Sequence, residues 1–134
     1  MTSKVTYLGN LRTNCVHLLS GNSFVTDAPL DNHGLGQAFS PTDTIATGLA
    51  SCMFSVMGIK AKGLEVNLVD STAEVTKFME ADPRRIVRID VAFYMPKNVS
   101  DKNRKILEHT ARTCPVQFSL HPDIVRNISF HWEL

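Results

Sequence analysis

"SPTDTIATGLASCMFSVMG", residues 40–58, is the stretch on which the fold turns. Ser40 precedes Pro41, and Asp43 falls where a carboxylate suits the first turn of a helix. A helical pattern extends over residues 42–62, and Gly63 is expected to end it. Ile45, Leu49, Cys52, Val56 and Ile59 recur at spacings of 4, 3, 4 and 3, an apolar stripe that sets Cys52 against a core or an interface. Thr44, Gly48, Ser51, Ser55 and Gly58 form a second stripe of small residues, which lets another backbone come close. Ala46, Ala50, Met53, Phe54 and Met57 fill the rest, so the helix is expected to be central and buried.

Strands surround it. Residues 4–26 read as strands with turns at "LGN" and "SGNS", followed by the Gly-, Pro- and Asp-rich loop "DAPLDNHGLGQAFSP". Downstream, "RIVRIDVAFYM" alternates, with Val87, Ile89, Val91, Phe93 and Met95 on one face and Arg88, Asp90 and Tyr94 on the other. "EADPRR" reads as the hairpin turn joining it to residues 64–79. Ser100 caps a second helix reaching residue 113, where Pro115 stops it. The tail "NISFHWEL" alternates again, Ile128, Phe130, Trp132 and Leu134 against polar neighbours. Strands, long helix, strands, helix and strand make an α+β domain, helices on antiparallel sheet, in one domain over residues 1–134.

Bulk composition narrows the function. With 134 residues, 43% apolar and 20% charged, the chain can bury a core without help from cross-links. A net charge of +1, with no basic block longer than Arg84-Arg85, argues against nucleic acid as a partner. The opening "MTSKVTYLGNLRTN" lacks the apolar run of a signal peptide. The most apolar stretch, residues 45–59, is interrupted by Thr, Gly and Ser and reads as too short for a membrane span. The expected location is the cytoplasm, without a membrane partner.

Three cysteines remain to be explained, Cys15, Cys52 and Cys114. No pair forms a CxxC, which argues against a zinc finger or a thioredoxin motif. Cys114 shares a face of the second helix with Ile106, Leu107, Thr110 and Ala111, so it too points inward. Buried free cysteine serves commonly as a small hydrophobe, and spacing alone does not bring the two thiols together.

Two separated segments carry a resemblance. "SPTDTIATGLASCMFSVMG", followed some sixty residues later by "ARTCPVQFSLHP", resembles the OsmC/Ohr family of thiol peroxidases. These are the osmotically inducible protein C and organic hydroperoxide resistance proteins. The lead-in "TDAPLDNHGLGQAFSP" makes the likeness nearest to the OsmC-like branch. The resemblance implies an intertwined homodimer with sites at the subunit interface. It implies that Cys52 is the peroxidatic cysteine and that Cys114 resolves its sulfenic acid into a disulfide, recycled by a dithiol such as a lipoyl protein or thioredoxin. No cofactor or metal is implied.

Peroxide reduction needs a thiolate, and a free thiol near pKa ~8.5 is mostly protonated at neutral pH. In the family an arginine near the amino terminus supplies charge, held by a glutamate ahead of the central helix. Arg12 in "LGNLRTN" is the match for the arginine, with a solvated strand-end charge as its plain reading. The glutamate's position holds Thr42, and the nearby carboxylate, Asp43, reads either as its substitute or as an ordinary first-turn helix residue. Cys15 reads as packing or an incidental surface thiol, and His121 as a residue that closes a loop or lines the site. A Cys114/His109/His121 zinc site and a Cys–His hydrolase lack supporting signatures. The alternative to a peroxidase is a non-enzymatic member that binds an apolar ligand or senses oxidant through one disulfide.

Overall fold

A computed structural model describes all 134 residues, in two compact units, Met1–Ile45 and Ala46–Leu134. The first is an antiparallel sheet in the order β1 (Ser3–Gly9), β2 (Arg12–His17), β3 (Ser23–Asp27). Its first turn holds Gly9, Asn10 and Leu11 all at positive φ, and a bulge lies between Tyr7 and Gly9. The "DAPLDNHGLGQAFSP" segment folds back after β3, Gly34 N–H donating to Pro29 O and Gly36 N–H to Ala28 O. A Cβ on Gly34 would lie 1.7 Å from Ala28 O, so no other residue fits there. Phe39 then bridges Thr26, and Asp27 N–H donates to Phe39 O at 2.9 Å.

Helix α1 spans Pro41–Leu64. Its start is a reciprocal cap: Asp43 N–H donates to Ser40 Oγ at 3.1 Å and Ser40 N–H to Asp43 Oδ2 at 2.9 Å. Its end falls two residues beyond the predicted one. Glu65, at φ 56°, is the left-handed residue that closes the helix, with Val66 N–H on Ala61 O and Glu65 N–H on Lys62 O. By length and composition alone this helix is apolar enough to cross a membrane, contrary to the expectation from residues 45–59. One flank is the core of Ala46–Leu134 all the same.

That unit builds its core between α1, α2 (Asp101–Ala111) and β5 (Arg85–Met95). Strand β4 (Thr72–Glu80) pairs with β5 through the predicted hairpin. Ile89, Val91, Phe93 and Met95 are buried, as alternation requires, and Phe93 stacks on Phe130 and meets the edge of Phe54. The face of α1 differs from expectation. Ala46, Leu49, Ala50, Met53, Met57 and Ala61 are buried, whereas Ile59 is 77% exposed and Cys52 and Val56 are half-buried. Three alanines let the helix axis sit close to large β5 side chains, and flexible methionines fill the gaps. Ile45 and Ile59 are thereby turned outward, while Cys52 and Val56 stay partly buried against the edge of the core.

Two further differences lie downstream. Helix α2 is capped as predicted, Asn103 N–H donating to Ser100 Oγ at 3.2 Å, but ends at Ala111. Pro115 does not stop it; it opens a new helix, α3 (Pro115–Ser119), as the N1 residue that lacks an amide hydrogen to waste. The last strand, β6 (Val125–Trp132), runs parallel to β5, so the sheet is mixed rather than antiparallel. The connection through α2 and α3 is long enough to return the chain to the same end of the sheet, which a tight hairpin would not do. The α+β class stands.

Candidate active site

Cys52 and Cys114 meet within Ala46–Leu134. Cys52 projects from the half-buried flank of α1, and Cys114 is the residue at which α3 begins. Both are free thiols, and Cys52 is a neighbour close enough to act on the Cys114 thiol. They come together because Cys114 belongs to the same buried cluster as Leu107 and Ala111, and this cluster packs on Met53 and Met57 of α1. Extended backbone at Cys114 (φ −67°, ψ 146°) separates α2 from α3 and places the thiol as the N-cap of α3.

The two sulfurs differ in environment. Cys114 is fully buried, and loss of water pushes its thiol pKa up from the ordinary value. Backbone amides of Gln117 and Val116 act in the opposite sense; the Gln117 N–H reaches Cys114 Sγ at 3.3 Å. The neighbouring Cys52 sulfur adds to the upward shift. Cys52 is the less buried residue of the two.

The segment behind Cys114 is held in place by Arg126 of β6. Its Nη2 donates to the carbonyls of Gln117, Leu120 and His121 at 3.2–3.3 Å. Trp132 Nε1 donates to Glu108 Oε1 at 2.7 Å, which fixes α2 to the same strand. His121 closes a loop: its Nδ1 accepts from Asp123 N–H at 3.1 Å. No group of three or more His, Cys, Asp or Glu side chains is placed to hold a metal ion.

The remaining candidates lie in Met1–Ile45. Arg12 begins β2 opposite Asp27 of β3, and its Nε is buried without a hydrogen-bond partner. Asp43 serves the cap of α1, and Thr42 Oγ1 lies 3.2 Å from Ser40 Oγ. Cys15, half-buried in β2, has Thr13 Oγ1 3.7 Å from its sulfur. Two residues escape a reading of the sequence. Asp27 looks like an ordinary loop carboxylate yet is fully buried, and Gln117 looks like a helix surface residue yet its Oε1 is buried without a partner. The available hint to Asp27 was its place at the end of a strand, directly before a proline-containing turn.

Known proteins share the family and the fold of this chain. The family model described as OsmC-like protein matches residues 34–129. A solved structure from Psychrobacter arcticus, a protein provisionally named for osmotic stress induction and detoxification response, is 53% identical, with a TM-score of 0.94 over 98% of this chain and 96% of that one. An organic hydroperoxide resistance protein OsmC from Legionella pneumophila shares the fold at 18% identity and a TM-score of 0.71, covering 98% and 97%. So does an organic hydroperoxide resistance protein from Elizabethkingia anophelis, at 15% identity and 0.76, covering 99% and 97%. No curated protein matches the chain.

Proposed function

Because this chain belongs to the OsmC-like family, we propose that it is a cysteine peroxidase that reduces organic hydroperoxides, and hydrogen peroxide as a secondary substrate. The observation that carries the reading is a half-buried Cys52 neighbouring a fully buried Cys114. Cys52 attacks as the thiolate. An S–O bond forms, the O–O bond breaks, and the leaving alkoxide takes a proton to depart as the alcohol. Cys114 then attacks the Cys52 sulfenic acid; the S–S bond forms and the hydroxyl leaves with the Cys114 proton as water. A dithiol, of lipoyl or thioredoxin type, returns two electrons and restores both thiols.

The unequal burial suits this order. A thiol kept protonated by burial is a poor first nucleophile and survives in reduced form until a sulfenic acid appears beside it. Arg12 is the proposed cation for the Cys52 thiolate; its buried Nε has no hydrogen-bond partner. Asp43 is the weaker candidate for a supporting carboxylate, because one of its oxygens is engaged in capping α1. The working form is proposed to be a homodimer in the cytoplasm. A steady-state assay of an alkyl hydroperoxide and of hydrogen peroxide, each with dihydrolipoamide and with thioredoxin, tests the reading. Multiple turnovers are expected with one dithiol; a single oxidation event with neither turning over favours an oxidant sensor or an apolar-ligand binder instead.

A further inference from the structure

A buried carboxylate in Met1–Ile45 has no role in the chemistry above. Asp27 is 0% exposed, and its Oδ2 accepts the Gln37 N–H at 3.0 Å while Oδ1 has no partner. An ionised oxygen removed from water and left unpaired is strongly disfavoured. The residue directly opposite Asp27 in the β2–β3 ladder is Arg12. Its Nε is the other buried side-chain atom of this unit that lacks a partner. On the far side of Arg12 the register partner in β1 is Gly9, which offers no side chain. Across this row of the sheet, Asp27 is thus the one side chain in register with Arg12.

We propose that Asp27 is the positioning residue for Arg12, a carboxylate supplied from β3 where this chain has threonine at position 42. The inference rests on the reading of Arg12 as the cation for the Cys52 thiolate. Opposed residues of an antiparallel pair carry their Cβ atoms about 5 Å apart on the same face, within the reach of an arginine. The guanidinium presents Nε–H and Nη–H as a fork that matches a carboxylate. Asp27 itself has little freedom: the ladder sets its Cα, the Gln37 amide orients its carboxylate, and its own N–H is bound to Phe39 O. The fixed carboxylate selects the arginine's rotamer, and torsions of Arg12 alone close the pair.

The competing role is structural, an anchor for the Ala28–Gln37 loop through the Gln37 amide. Asp27→Asn separates the two, since asparagine keeps an acceptor for that amide and loses the charge. The single-turnover rate of Cys52 with cumene hydroperoxide is measured in wild type, Asp27→Asn, Arg12→Ala and the double variant. Arg12→Ala is expected to slow the reaction ~10-fold or more, Asp27→Asn several-fold, and the double variant no further than Arg12→Ala alone. The midpoint pH of Cys52 alkylation by iodoacetamide should rise in Asp27→Asn and not rise further when Arg12 is already absent. Equal slowing by Asp27→Asn in both backgrounds, or a wild-type rate, overturns the inference while leaving Arg12's role intact. An unchanged rate in Arg12→Ala removes the role of Arg12 itself, and the inference with it. Should Asp27→Asn fail to fold, NMR of the wild-type protein decides. The Arg12 Nε–H signal, assigned by its loss in Arg12→Lys, is expected to be sharp and slow to exchange at neutral pH; a broad, rapidly exchanging signal overturns the pairing.

Discussion

Cys52 is half-buried and Cys114 fully buried, and the proposed division of labour between the two thiols rests on that difference. Cys52→Ser is expected to abolish peroxide reduction, since a hydroxyl is not ionised at neutral pH. Cys114→Ser should react once, leaving a Cys52 sulfenic acid that proceeds to the sulfinic acid under excess peroxide. Mass spectrometry after one equivalent of peroxide reads both. Formation of a Cys114 sulfenic acid at the wild-type rate in Cys52→Ser would reverse the roles. Burial of Cys114 also has a signature in stability. Its pKa in the folded chain is raised, chiefly by burial. Between the ordinary thiol value and the raised one, the unfolded chain has lost a proton that the folded chain keeps. The stabilisation is therefore fully present below the unfolded pKa and is lost as pH rises through the folded value. Urea unfolding of the reduced protein from about pH 7 to about pH 10 should show this decline. In Cys114→Ala the decline should be smaller by the Cys114 share, and equal curves would refute the assignment.

At the scale of elements, the termination of α1 offers a direct test of backbone strain. Glu65 sits at φ 56° in the position where glycine is favoured, with both hydrogen bonds of the closing motif formed. Glu65→Gly is expected to stabilise the fold by up to about 1 kcal/mol, read as a higher urea midpoint with unchanged slope. Gly34→Ala should do the opposite, costing about 2–3 kcal/mol or unfolding the loop, because its methyl group would overlap Ala28 O. These two sites also show what a sequence can disclose. Gly63 was the natural stop signal by residue type, but the chain closes at Glu65, where the Val66 and Glu65 amides bond back to Ala61 O and Lys62 O. Strand β5 was legible since its period of two alone decides which side chains face inward. The burial of α1 was not, because alanines and methionines compete with isoleucines for the inner face, and only the shape of β5 settles it. Likewise, alternation in β6 reveals a strand and says nothing of its direction. Cys52 and Cys114 were legible as inward-facing thiols, whereas their meeting depends on α2, α3 and α1 packing together. Asp27 was hidden for the same reason: its significance lies in a cross-strand register that no local pattern encodes.

For the molecule as a whole, the outward side of α1 bears on its assembly. Ser51, Ser55, Gly58 and Ile59 are exposed, and a Cβ placed on Gly48 or Gly58 would meet nothing within 4 Å. A 24-residue helix extends about 36 Å, so this outward side offers a long track of small side chains beside an exposed isoleucine. Small residues at helical spacing cost helix propensity and gain nothing in an isolated chain, yet they allow a second chain to approach closely. This is the physical ground for the proposed homodimer, apart from the family resemblance. The open space at Gly58 makes the test selective. In a monomer, Gly58→Trp adds a side chain to solvent and, if anything, strengthens the helix. In a dimer that packs along α1, the indole occupies volume the partner needs. Light scattering at micromolar concentration is therefore expected to give a dimer for the wild type and a shift toward monomer for Gly58→Trp, with helical circular dichroism preserved. Peroxide turnover should fall with the loss of the dimer if the reaction requires both subunits. A wild-type monomer would leave the small-residue track unexplained and exclude a site at a subunit interface. A dimer indifferent to Gly58→Trp would move the interface away from this face of α1.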